Sequence, residues 1–160
     1  MTVGSTRSVT HATFVIERTF PSSPDRVFAA FADPATKKRW FVMPAHWEGT
    51  EHALDFRVGG REVNRGGPPS GRVHTFDARF HEIVENERIV YAYDLSFGDV
   101  LVSVSLVTIE LSAAAEGTRM TFTEHGAFLD GHDDPAGREH GTQLLLDAVA
   151  AFLEQDGAGA

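Results

Sequence analysis

Residues 12–20 (ATFVIERTF) alternate, with Phe14, Ile16 and Phe20 on one side and Thr13, Glu17 and Thr19 mostly on the other. That period of two predicts a half-buried strand. Ser23-Pro24-Asp25 reads as a helix start, with Ser at the N-cap, Pro at the first helical position and an acid in the first turn. Val27, Phe28 and Phe31 give this short helix one apolar side. Asp33-Pro34 repeats the start signal, and the second short helix is expected to end near Trp40-Phe41.

The middle of the chain predicts six strands, near 53–58, 60–64, 72–84, 88–97, 99–112 and 117–125. Turn chemistry separates them: Gly59-Gly60, Gly66-Gly67-Pro68-Pro69, Glu85-Asn86-Glu87, Gly98-Asp99 and Glu116-Gly117. Short turns between successive strands imply an antiparallel meander. His74, Phe76, Ala78 and Phe80 share one face, against Thr75, Asp77, Arg79 and His81. Ile89, Tyr91, Tyr93 and Leu95 oppose Val90, Ala92 and Asp94, and Val107, Ile109 and Leu111 oppose Thr108 and Glu110. Met120, Phe122 and Glu124 oppose Thr121, Thr123 and His125. A slip of one residue in this last strand would exchange Glu124 for His125.

Something must cover the apolar face, and residues 135–155 supply it. Asp134-Pro135 is another N-cap pair, followed by an Ala- and Leu-rich run without internal Pro. Leu145, Val149 and Phe152 form a stripe that Leu146 and Leu153 widen. Roughly 20 residues make about 30 Å of helix, enough to cross the sheet. Gly137 and Gly141, four apart, are expected to allow close backbone approach. The pattern predicts an α+β fold: a curved antiparallel sheet of about seven strands around a long C-terminal helix, with two short helices after strand one. A single domain over 12–155 is expected between a flexible N-terminus (1–11) and a disordered tail (156–160).

Composition narrows the function. The chain has 160 residues, a formal charge of −9 and no cysteine, which removes disulfides, thiolate zinc sites, iron–sulfur clusters and cysteine nucleophiles. The charge is uneven, +3 over residues 1–81 and −12 over 82–160. A negative total argues against nucleic-acid binding, which rests on neutralising phosphates. No apolar run approaches the roughly 18 residues that would span a bilayer. Met1 to Val9 lacks the apolar core of a signal peptide, and a cytoplasmic location is expected. The histidines do not fall at metal-ligand spacing: His46 and His52 are six apart, and His132 and His140 eight apart. Gly66-Gly67-Pro68-Pro69-Ser70-Gly71 lacks the Lys-Ser/Thr of a phosphate loop, and neither a nucleophile elbow nor a dinucleotide fingerprint occurs. Neither metal nor cofactor is expected. Against 12 Phe stand only two Trp and two Tyr, so the polar-tipped aromatics are informative.

The ordered residues resemble a known family. Glu17-Arg18-Thr19-Phe20 before Pro21-Ser22-Ser23-Pro24, Asp33-Pro34 leading to Arg39-Trp40-Phe41, and above all Asp55-Phe56-Arg57-Val58-Gly59-Gly60 carry the likeness. Glu87-Arg88-Ile89-Val90-Tyr91, Gly117-Thr118-Arg119-Met120-Thr121-Phe122, and Thr123-Glu124-His125-Gly126 through Gly131 continue it, with Arg138-Glu139-His140-Gly141-Thr142 in the last helix. The set resembles the START-like helix-grip (SRPBCC) superfamily, and within it a bacterial branch of the group named after an activator of the heat-shock-protein-90 ATPase. The likeness covers about residues 12–155. Two departures stand out: many relatives carry Gly-Trp where Gly141-Thr142 stands here, and a position often held by His before Gly is Glu124. Both imply a wider or more polar cavity.

The resemblance implies a deep pocket between sheet and helix, and the alternation supplies its expected lining: Phe76, Tyr91, Tyr93, Phe122, Leu145, Val149 and Phe152, with Trp40 near the mouth. A buried Tyr needs a hydrogen-bond partner, so Tyr91 and Tyr93 either grip a ligand or bond to backbone or water. Glu124 on an inward face would be desolvated, moving toward the range of a general acid or base; alternatively it pairs with Arg57, Arg61 or Arg138. Glu62 and Asn64 are expected to approach it if they also face inward. Three functions stay open. The first is binding of a hydrophobic small molecule, such as a lipid, aromatic or polyketide-like compound. The second is a cyclase/aromatase-type or lyase enzyme using Glu124 and Tyr91 or Tyr93. The third is a chaperone-partner role suggested by the group's name. The resemblance also makes a homodimer possible, although the sequence identifies no exposed apolar stripe.

Overall fold

The alternating segments pair into a single antiparallel sheet in a computed structural model that describes residues 6–158, with side chains to 155. The elements are β1 (Val9–Phe20), α1 (Pro24–Ala32), α2 (Pro34–Trp40), β2 (Glu48–Leu54), β3 (Arg61–Gly67), β4 (His74–Val84), β5 (Arg88–Phe97), β6 (Val100–Ala114), β7 (Gly117–Leu129) and α3 (Pro135–Ala158). The sheet order is β1-β7-β6-β5-β4-β3-β2. Strand one therefore closes beside the last strand, and β2 to β7 form the predicted meander. The fold is α+β, an open curved sheet with α3 packed on it.

Several boundaries differ from the sequence reading. β1 starts at Val9, because Val9 pairs with Leu129 and His11 with Ala127 on a β7 longer than expected. Residues 9–11 are thus strand, and residues 1–5 lie outside the described ones. β2 precedes the predicted 53–58, and the Asp55–Gly60 segment is a turn. Arg57 N–H bonds to the Asp55 carbonyl and Gly60 N–H to the Arg57 carbonyl, both within the turn. A Cβ on Gly60 would stand 2.1 Å from the Asp55 carbonyl oxygen, so the turn closes only around glycine. α3 runs to Ala158, three residues past its expected end, which removes 156–158 from the predicted tail; 159 and 160 lie outside the described residues.

Helix starts follow the sequence signals. Asp33 caps α2, accepting from Ala35 N–H at 3.3 Å and from the Thr36 hydroxyl at 2.8 Å. Asp134 caps α3, accepting from Gly137 N–H at 2.7 Å. At α1, Ser23 makes no side-chain cap bond, because its hydroxyl turns to the Asp25 carboxylate. The core joins inward strand residues (Phe14, Ile16, Phe20, Phe80, Ile109, Met120) to α1 and to Leu146, Val149, Phe152 and Leu153 of α3. The described helices include none long and apolar enough to cross a membrane.

Two glycines test this packing in opposite directions. Gly117, in the β6–β7 turn, has φ +138°, and a Cβ there would meet the Phe20 carbonyl oxygen at 2.2 Å. Gly141 is helical and exposed, and a Cβ there would meet nothing within 4 Å. Gly117→Ala is expected to cost about 2 kcal/mol or more, and Gly141→Ala to stabilise by about 0.5–1 kcal/mol. Urea unfolding of the two variants checks this; equal midpoints would contradict it.

Candidate functional site

Between the sheet and the helices lies a cavity of about 460 Å³, within the range of small-molecule sites. Its wall is mostly apolar, formed by Phe76, Leu95 and Phe122 from the sheet, Phe31 and Phe41 from the first helices and their exit, and Leu145 and Leu146 from α3. Exposed Val42, Gly137 and Gly141 mark its mouth. There Trp47 packs on His74 at 4.7 Å and His74 on Phe97 at 4.0 Å between ring centroids. Burial, with Arg72 nearby, holds the His74 imidazole below its usual pKa.

Alternation explains the positions on the sheet. Tyr91 and Tyr93 are two apart on β5, so both point inward, and Tyr93 stands opposite Ser105 of β6. Glu124 of β7 faces the same space, while His125 faces outward, hydrogen-bonded to Thr13 at 2.6 Å and stacked on His11. The Asp134 cap places Arg138 one turn into α3, aimed at the sheet. Its guanidinium donates to the Tyr93 hydroxyl at 2.7 Å, the Ser103 hydroxyl at 2.7 Å, the Asp133 carboxylate at 2.9 Å and Glu124 Oε2 at 3.3 Å. The Tyr93 hydroxyl in turn donates to Glu124 Oε2 at 2.8 Å. Of the partners open to Glu124 on the sequence, Arg138 is the one in place.

Electrostatics sharpen this cluster. Burial raises the Glu124 carboxyl above the usual carboxylate range, against the opposing pull of Tyr93 and Arg138. Burial and the Glu124 charge push the Tyr93 phenol far above its ordinary pKa, so it remains a donor.

A second buried cluster lies on the opposite flank. Lys37 Nζ meets Glu62 Oε1 at 2.5 Å, and His52 Nε2 meets Glu62 Oε2 at 2.7 Å. The Lys37 ammonium also lies 5.2 Å from the Phe41 ring centre and 5.8 Å from that of Trp40. Burial lowers the Lys37 pKa. Burial would raise Glu62, but Lys37 and His52 together outweigh it and hold the carboxyl below its usual value. The sequence reading missed Lys37 and His52. A signal existed: Lys37 and Trp40 are three apart, and hence on one face of α2.

The structure redistributes the expected site. Trp40, Asn64, Phe76, Tyr91, Tyr93, Phe122, Glu124 and Leu145 line the cavity. Val149 and Phe152 do not; they pack in the core further along α3. Glu62 does not share the cavity with Glu124, because Lys37 and His52 engage both its oxygens. Trp40 is buried rather than at the mouth, its indole donating to the Ala30 carbonyl at 2.8 Å. Asn64 gives its amide to the Phe41 carbonyl at 3.3 Å. Gly141 serves no close packing, while Gly137 lies against the capping Asp134 carboxylate, 3.1 Å from where a Cβ would stand. Among the described residues, no three His or carboxylate side chains gather as a metal site.

A curved antiparallel sheet closed by a long C-terminal helix over such a cavity defines a START-like helix-grip (SRPBCC) protein. Residues 21–154 match the model of the family described as Activator of Hsp90 ATPase homolog 1-like protein, and the chain belongs to that family. An uncharacterized protein from Rhizobium leguminosarum is 42% identical, with a TM-score of 0.88 over 94% of this chain and 99% of that one. A protein from Rhizobium loti is 52% identical, with a TM-score of 0.84 over 91% and 99%. A solution structure of a protein of the same family from Aeromonas hydrophila, 21% identical with a TM-score of 0.68 over 91% and 94%, shares the fold. No curated protein matches the chain.

The Lys37–Glu62 pair yields a stability prediction. Removing one member of a buried pair strands the other charge, which typically costs about 3–5 kcal/mol. Lys37→Met is therefore expected to lose about that much at pH 7, and Lys37→Met with Glu62→Leu to recover at least half. The Glu62 contribution is complete above the ordinary carboxylate range and is lost as pH falls through its depressed folded value. Glu62→Gln is expected to flatten that acid limb, read by urea unfolding at a series of pH values.

Proposed function

We propose that the protein binds an apolar small molecule in the cavity between the sheet and α3. One observation carries this: about 460 Å³ is left open beside a core otherwise filled by aromatic and aliphatic side chains, whereas protein interiors normally close such space. The wall is mostly apolar, with polar groups on two flanks, Tyr93, Glu124 and Arg138 on one and Lys37 and Asn64 on the other, the composition expected where shape supplies affinity and a few donors supply orientation. Exposed lining at Val42, Gly137 and Gly141 provides a way in. Membership in the family supports the same reading through its shared architecture.

Native mass spectrometry of the purified protein is expected to show a co-purifying small molecule or, failing that, saturable uptake of a hydrophobic fluorescent reporter. Leu145→Trp adds an indole to the lining and is expected to weaken reporter binding at least tenfold with the circular dichroism spectrum unchanged. Equal binding by this variant would place the reporter outside the cavity and remove the proposal's support.

A second reading rests on Glu124, whose carboxyl is raised by burial and joined to a phenol at 2.8 Å. Such a pair suits proton transfer to a bound carbonyl compound, as in a cyclase. Glu124→Gln keeps the side-chain shape. For any compound that wild type turns over, it is expected to lower turnover at least 100-fold while binding persists; undiminished turnover would exclude Glu124 as the acid or base.

A further inference from the structure

Tyr91 and Tyr93 are neighbours on one face of β5, yet their hydroxyls are used differently. Tyr93 is spent within the protein: it accepts from Arg138 and donates to Glu124. Among the described residues, no protein group hydrogen-bonds the Tyr91 hydroxyl, and no buried polar side-chain atom is left without a partner. The Tyr91 oxygen is therefore open to the cavity that its side chain lines. The other inner donors are engaged: Lys37 by Glu62, the Trp40 indole by Ala30, the Asn64 amide by Phe41, and the Tyr93 hydroxyl and Arg138 guanidinium by Glu124 Oε2. Trp47 and His74 stand at the mouth.

The Tyr91 ring is held in place, 5.9 Å from the Phe80 ring and 6.2 Å from the Tyr93 ring. Its surroundings also carry a sign. Burial comes first, and then Glu124, Tyr93 and Glu62 disfavour its ionised form, keeping the phenol protonated far above its ordinary pKa. A phenol that stays protonated donates to a carbonyl oxygen, while the negative charge of Glu124 disfavours an added anion beside it.

We propose that the cavity selects an apolar compound bearing a neutral carbonyl acceptor, such as a ketone or ester, and that the Tyr91 hydroxyl donates the hydrogen bond that orients it. This rests on the small-molecule reading above and adds the chemical class. An apolar acid of the same size is disfavoured, because both cations that line the cavity are already paired, Lys37 with Glu62 and Arg138 with Glu124, Asp133 and the Tyr93 and Ser103 hydroxyls.

Three probes of nearly equal size test it: 2-acetonaphthone, 2-ethylnaphthalene and 2-naphthoate, titrated into wild type and Tyr91→Phe at pH 7.5. The ketone is expected to bind wild type more tightly than either of the others. Tyr91→Phe should weaken the ketone about tenfold, the scale of one neutral hydrogen bond, and leave the hydrocarbon within twofold. The hydrocarbon arm separates hydrogen bonding from a change in cavity shape, which would move both probes together. If ketone and hydrocarbon both bind and the variant affects them equally, or if naphthoate binds as tightly as the ketone, the carbonyl proposal is overturned while small-molecule binding stands. If none of the three binds, both fall.

Discussion

Arg138 ties the last helix to the sheet. From the first turn of α3 it reaches Tyr93 on β5, Ser103 on β6 and Glu124 on β7, so one side chain sets the height of the helix over three central strands. The guanidinium suits this task because its planar fork keeps several donors in fixed directions. Further along α3, Leu146, Val149 and Leu153 close the interface by packing. Near Arg138 the helix is held by polar bonds at a distance, and the space so maintained is the cavity.

Two buried ion pairs flank that space, Arg138–Glu124 and Lys37–Glu62. Burying such pairs seldom adds stability relative to apolar residues of similar volume, so their worth here is geometric. Lys37–Glu62 fastens α2 to β3 and thereby positions Trp40 and Phe41, which form part of the wall. The uneven charge has a simpler account: of the 15 acidic residues after position 81, most face water. The acids that matter to the site are few and paired.

Much of the architecture was legible in the chain. Period-two alternation identified β1, β4, β5, β6 and β7 and their inward faces, since one face of the sheet is buried and a slip would expose every apolar residue together. Prolines after Ser23, Asp33 and Asp134 marked all three helix starts. β2 was misplaced because Asp55–Gly60 has a strand-like run of Phe56, Arg57 and Val58, whereas its turn is imposed by the close approach of Gly60 to Asp55. Val149 and Phe152 share a helical stripe with Leu145, but a stripe wider than one row meets the core on one side and the cavity on the other. Lys37 escaped notice because a lysine on a short helix ordinarily faces water.

While the choice between Glu124 and His125 on the inward face awaited the strand register, the sequence by itself determined the class of fold, the strand meander and the covering helix. These follow from local periodicity and capping, which act over a few residues. Only the tertiary structure decided the pairing of charges: Arg138 with Glu124, Lys37 with Glu62, Tyr93 bonded and Tyr91 free. Those outcomes depend on distances between elements far apart in the chain, where side chains of similar chemistry compete and the register of packing selects one.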